Sequence, residues 1–144
     1  MDILVPHSLA FRLQRVFLFA LLTLTSIGAI IDLKLILNKS TSEHYGPAGL
    51  RFVIFLLDVL SVAICSAGLC FLRINFLWTF IALDSVNFLF SLILSMMTTF
   101  WWGGVSLGFS VLSWIFAFGV IREINMVRNS LKRGDIEIVL TDNV

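Results

Sequence analysis

Four apolar runs, broken by short polar stretches, set the plan of this chain. They are Val16 to Ile31 with its continuation Leu35 to Leu37, Leu50 to Leu72, Ile74 to Thr99, and Val105 to Ile121. A hydrocarbon core of ~30 Å takes about 20 consecutive apolar residues as a helix. The runs therefore predict transmembrane helices near 16–37, 50–72, 75–98 and 103–121. The expected fold is all-α, a four-helix transmembrane bundle within residues 1–125 followed by a short tail, 126–144.

The breaks orient these helices. Arg12 and Arg15 stand ahead of the first run, as they would in a signal peptide. The run is long, however, Asp32 and Lys34 follow it, and it has no clean small-residue cleavage site, so it reads as a retained first helix. Asn38 to Gly49, NKSTSEHYGPAG, is a loop marked by its Gly and Pro. It holds a sequon at Asn38, a glycosylation candidate on a lumenal or extracellular side. Around Arg73 and Asn75 the link is so short that the second and third helices must form an antiparallel hairpin. Phe100, Trp101 and Trp102 suit an interfacial turn, where amphipathic rings gather. One side of such a bundle carries Arg12, Arg15, Arg73, Arg122, Arg128, Lys132 and Arg133, and the other Lys34, Lys39 and Arg51. The positive-inside rule then places both termini in the cytoplasm.

Composition agrees with the pattern. Of 144 residues 59% are hydrophobic and 13% charged, with 14 Phe and 4 Trp and a mean hydropathy of +1.02. Soluble domains are nearer ~25% charged and ~45–50% apolar, so an integral multi-pass membrane protein is expected. A net charge of +1 gives no sign of a nucleic-acid partner. Cys65 and Cys70 fall inside the second run and read as small packing residues. Cys70, close to Arg73, is also a palmitoylation candidate.

Polar residues inside the runs are the candidate chemistry. Asp84 and Asn87 stand three apart in the third run, on one face of a helix. Counted at ~1.5 Å per residue, Asp58 in the second run lies at the same depth as Asp84. Ionisable groups at that depth are costly and face protein or water rather than lipid. Asp58, Asp84 and Asn87 thus make either a polar clasp, bonded to Ser61, Ser85, Ser91 or Thr79, or a proton or cation pathway. No Lys or Arg is expected at midplane depth beside them. Gly104 and Gly108 form a small-residue motif for close helix packing, within the chain or in a dimer. Arg128, Lys132 and Arg133 are candidate contacts for anionic lipid headgroups. His7 and His44 lie on opposite sides under this topology. No metal, nucleophile or phosphate-loop motif appears, so neither enzyme activity nor a cofactor is expected.

Four helices, cytoplasmic ends, a short inner hairpin and a tryptophan-bearing second outer turn resemble the MARVEL superfamily. Leu83-Asp84-Ser85-Val86-Asn87-Phe88-Leu89-Phe90 is similar to the third-helix L-D-x-x-N-F-x-F pattern of fungal MARVEL proteins of the non-classical export type. An acid in the second helix, here Asp58, also occurs in that group. The chain departs from it in its short tail and in having no cysteine pair in its outer loops. The resemblance implies a protein of the plasma membrane or endomembrane vesicles that organises microdomains or vesicle traffic. Its partners would be membrane lipids and either like copies or other membrane proteins. The alternative is a small proton-linked transporter or an accessory subunit of a membrane complex.

Overall fold

The computed structural model of the chain describes residues 8–38, 47–98 and 102–133. They form four helices, α1 Leu9–Leu37, α2 Ala48–Phe71, α3 Ile74–Met97 and α4 Trp102–Arg133, and no strand occurs among the described residues. All four are long and apolar enough to cross a membrane. The four-helix, all-α expectation therefore holds. Each helix packs on its chain neighbours, and α4 returns to α1, so the bundle is a closed square.

Local chemistry sets the helix ends. Ser8 caps α1, its Oγ accepting the Phe11 N–H at 3.1 Å, which satisfies one otherwise orphaned donor of the first turn. This cap starts α1 seven residues earlier than the apolar run, so Arg12 and Arg15 lie on its first turns. Pro47 precedes α2 in extended conformation, where its missing N–H costs nothing. The expected hairpin joins α2 to α3 through Leu72 and Arg73 alone. Leu72 takes the left-handed conformation at φ 50°, and the N–H groups of Leu72 and Arg73 both bond the Gly68 carbonyl. Below that turn a Cβ on Gly68 would lie 3.1 Å from Leu77, so this glycine lets α2 and α3 close together.

α4 runs without a break past Ile121 and past residue 126, where the sequence reads as a tail. Ala117, Val120, Ile121 and Ile124 are all buried, so the inward stripe continues for one more turn and keeps the helix on the bundle. With 32 residues at ~1.5 Å each, α4 is about 48 Å long, well beyond a ~30 Å hydrocarbon core. Its far end meets the start of α1, where Ser8 Oγ donates to Glu123 Oε2 at 3.0 Å. Both ends of the described chain are therefore on one side of the bundle.

The core is divided along its length. Towards that end it is apolar, a cluster including Phe11, Leu18, Leu69, Leu77, Phe80 and Val120. Cys65 packs within this cluster, whereas Cys70 is exposed and is not a packing residue. Towards the other end buried polar residues join apolar ones such as Ile54 and Leu94: Asp32, Arg51, Asp58, Asp84, Asn87, Ser91, Ser110 and Ser113.

Candidate functional site: a polar upper core

The inward stripe of α2 is Arg51, Ile54, Asp58, Ser61 and Cys65, all buried, at the three- and four-residue steps of one helix face. That of α3 is Leu77, Phe80, Asp84, Asn87, Ser91 and Leu94. Because the two helices are antiparallel, Asp58 comes opposite Asn87 rather than Asp84. Asn87 Nδ2 donates to Asp58 Oδ1 at 2.6 Å. Asp84 lies one turn away, and Ser110 Oγ of α4 approaches its Oδ1 at 3.5 Å, a weak contact at that length. Trp114 stands beside the same carboxyl, its indole N–H completing no hydrogen bond.

A third acid, which the sequence pattern did not place there, joins the site. Asp32 of α1 accepts a hydrogen bond from Arg51 Nη1 at 2.8 Å, with the two side chains 11% and 4% exposed. Arg51 stands seven residues from Asp58, about 10 Å along α2, so this cation enters the polar core from the end of the helix and not at midplane depth. Arg51 is one turn inside α2 on the face that carries Asp58, so it points inward instead of serving as an outer flank charge. The i, i+3, i+7 spacing of Arg51, Ile54 and Asp58 was the available signal.

Other expected partners fall elsewhere. Thr79 and Ser85 donate to the carbonyls of Asn75 and Ile81 on their own helix, the usual alternative for a hydroxyl four residues along. Ser61 Oγ is buried with no hydrogen-bond partner, and Ser91 is buried with no bond across the bundle. Ser110 takes the role expected of them. Gly104 and Gly108 do not bring two helices of this chain together, since a Cβ on either would meet nothing within 4 Å. The close approaches are instead at Gly68 and at Gly119, which Gln14 of α1 covers.

The site encloses one small hollow and adjoins a larger one. The first, about 20 Å³, lies between α1, α2 and α4 and is lined by Thr25, Asp32, Asp58, Ser106 and Ser110 among others. That is room for a single water-sized molecule. The second is a groove of about 380 Å³ between α1 and α2, walled by Ala29, Ile30, Phe55, Val59 and Val62. Asp58 lines both. Among the described residues no group of three His, Cys, Asp or Glu is placed to hold a metal ion.

At the opposite end Arg12, Arg73, Arg122 and Arg128 are exposed, and Arg15 lies over the Phe19 ring at 5.9 Å. The side chains of Lys132 and Arg133, two of the three candidate headgroup contacts, lie outside the described residues. So do His7, His44, the Lys39-Ser40 half of the Asn38 sequon, the turn at Phe100 and Trp101, and the tail from residue 134. Asn38 itself is exposed at the end of α1. No family model matches this chain, and neither a curated protein nor a solved structure matches it.

Proposed function

We propose that this is a non-enzymatic membrane protein that organises its bilayer surroundings, gathering lipid and like proteins around a rigid four-helix strut. One observation carries the proposal. The intramembrane polar groups tie neighbouring helices to one another, and the hollow they line between α1, α2 and α4 is water-sized, which suits a fastening better than a conduit. Gly104 and Gly108, open to the outside, give a small-residue surface on which a second copy can approach closely. The basic end, with Arg128 on α4, supplies charge for anionic headgroups, each worth about 1 kcal/mol near the surface. The octet Leu83 to Phe90 resembles the MARVEL pattern and supports the same reading, with both termini cytoplasmic and vesicle or plasma membrane as the setting.

A second reading, a small proton-linked transporter or a subunit of one, is favoured by charge. Asp32, Asp58 and Asp84 face a single guanidinium in the polar core, that of Arg51. One experiment separates the two. A fluorescently tagged copy is followed in living cells for position and mobility, while membrane potential and lumenal pH are compared in cells with and without the protein. Stable, slowly exchanging patches with unchanged pH are expected, and the Asp84→Asn variant should keep them, since an amide still accepts from Ser110. Diffuse protein with altered pH or potential, abolished by Asp84→Asn, overturns the organiser in favour of transport.

A further inference from the structure

We propose that the hollow between α1, α2 and α4 binds one dehydrated monovalent metal cation, ligated by Asp32, Asp58 and the hydroxyls of Thr25, Ser106 and Ser110. At about 20 Å³ it takes a single particle the size of a water molecule. Its oxygen-bearing liners come from three helices: Thr25 and Asp32 from α1, Asp58 from α2, Ser106 and Ser110 from α4. Their protons are already spent elsewhere. Thr25 Oγ1 donates to the Leu21 carbonyl at 3.0 Å, and Ser110 Oγ turns its own proton to Asp84. Asp32 and Asp58 are 7% and 6% exposed; the first gives one oxygen to Arg51 and the second gives one to Asn87. Among the described residues no other hydrogen bond reaches either carboxylate. The hollow is therefore ringed by lone pairs, and Ser106 alone has a proton to offer it.

Charge and size choose the occupant. A buried carboxylate without a counter-charge is costly. Asp32 and Asp58 bring two negative charges to the hollow, and Arg51, bound to Asp32, is the one buried cation among the described residues. One negative charge is left over, which a monovalent ion cancels and a water does not. Water also brings only two protons to the four accepting groups. Mg²⁺ keeps several of its own waters, for which the hollow has no room, and Ca²⁺ takes about 6–8 oxygens, more than these liners supply. The bound ion ties α4 to the Asp32–Arg51 and Asp58–Asn87 pairs, independently of whether the protein gathers into patches.

The test follows unfolding of the full chain in non-ionic detergent by tryptophan fluorescence, as sodium chloride replaces N-methylglucamine chloride at constant ionic strength. An ion that binds only the folded state stabilises it by mass action, so the midpoint should climb with sodium, and the sodium NMR line should broaden in the presence of the protein. Asp58→Asn keeps an acceptor for Asn87 but removes the charge, and should weaken sodium about tenfold or more. Gly28 lines the hollow on the face of α1 that carries Thr25 and Asp32, so the methyl of Gly28→Ala enters it and should abolish the sodium effect, whatever it does to the baseline. Ser106→Ala, at a half-buried position, should weaken sodium about two- to tenfold. A midpoint indifferent to sodium, the hollow holding a water only, overturns the proposal. So does a sodium effect that survives Gly28→Ala, which marks an ion held elsewhere. Should Asp58→Asn fail to fold, the wild-type titration, Gly28→Ala and Ser106→Ala still decide.

Discussion

Replacing Arg51 by Met removes the guanidinium from Asp32 and leaves a carboxylate that is 11% exposed without the partner seen at 2.8 Å. Two effects add. The charge-assisted hydrogen bond itself is worth about 1.5–3 kcal/mol. The orphaned carboxylate keeps its desolvation cost with nothing to offset it, and breaking buried pairs in this way costs about 3–5 kcal/mol in all. That corresponds to a shift of a hundredfold to a few thousandfold in the unfolding equilibrium. Asp32→Asn should cost less, because the amide oxygen still accepts from Arg51 while a buried cation loses its counter-charge. Removing both charges with Asp32→Leu and Arg51→Met should return stability to within about 1 kcal/mol of the parent, since well-packed apolar replacements of a buried pair are often neutral or better. Reversible unfolding in mixed micelles, followed by tryptophan fluorescence across the two-by-two set, reads all four values. A cost below about 1 kcal/mol for Arg51→Met, or singles that simply add in the double variant, would refute the argument that this pair fastens α1 to α2.

Two further outcomes follow from the packing. Gly68→Leu should destabilise the bundle by about 1–3 kcal/mol, because a Cβ there already meets Leu77 at 3.1 Å and Phe76 at 3.2 Å; Gly108→Leu should leave monomer unfolding unchanged while weakening lateral association measured by energy transfer between tagged copies. Asn87→Leu should cost about 1–3 kcal/mol by leaving Asp58 with no donor, and Asn87→Gln, one methylene longer, should recover only part of it in the same unfolding assay.

Much of this was legible in the residues. Runs of membrane length predict membrane helices because a bilayer leaves the backbone no other way to bond itself, and the tight link at Arg73 leaves only a hairpin. Asp84 and Asn87 read as inward because no other placement is tolerable for them. What could not be seen was partner choice between helices. Depth counting puts Asp58 level with Asp84, but antiparallel register and the turn at Leu72 bring it to Asn87. Arg51 was misplaced for a related reason: positive charges near a helix end ordinarily mark topology, and only its phase relative to Asp58 shows that it faces Asp32. Gly104-x-x-x-Gly108 illustrates the converse. A small-residue spacing says that a close approach is sterically allowed, not that a neighbour is there, whereas Gly68 and Gly119 carry no motif and do lie against side chains.

The division of the core explains why the polar half matters for the order of the helices. Lipid tails are as apolar as Leu, so the cluster around Phe11, Leu69 and Phe80 gains little hydrophobic free energy from packing and gives weak preference for one neighbour over another. Directional bonds supply that preference. Arg51 to Asp32 joins α1 to α2, Asn87 to Asp58 joins α2 to α3, Ser110 to Asp84 joins α3 to α4, and Ser8 to Glu123 joins α4 back to α1. The first two are short and buried and fix register as well as identity, since a helix slipped by one residue turns its polar group ~100° away, whereas Ser110 to Asp84 at 3.5 Å is weak and Ser8 to Glu123 is exposed. Exchanging neighbours would leave a buried polar group such as Asp58 or Asp32 without its partner, at a cost of about 1–3 kcal/mol. The acids are thus explained by what they forbid: they make every other arrangement of these four apolar helices more expensive than the one observed.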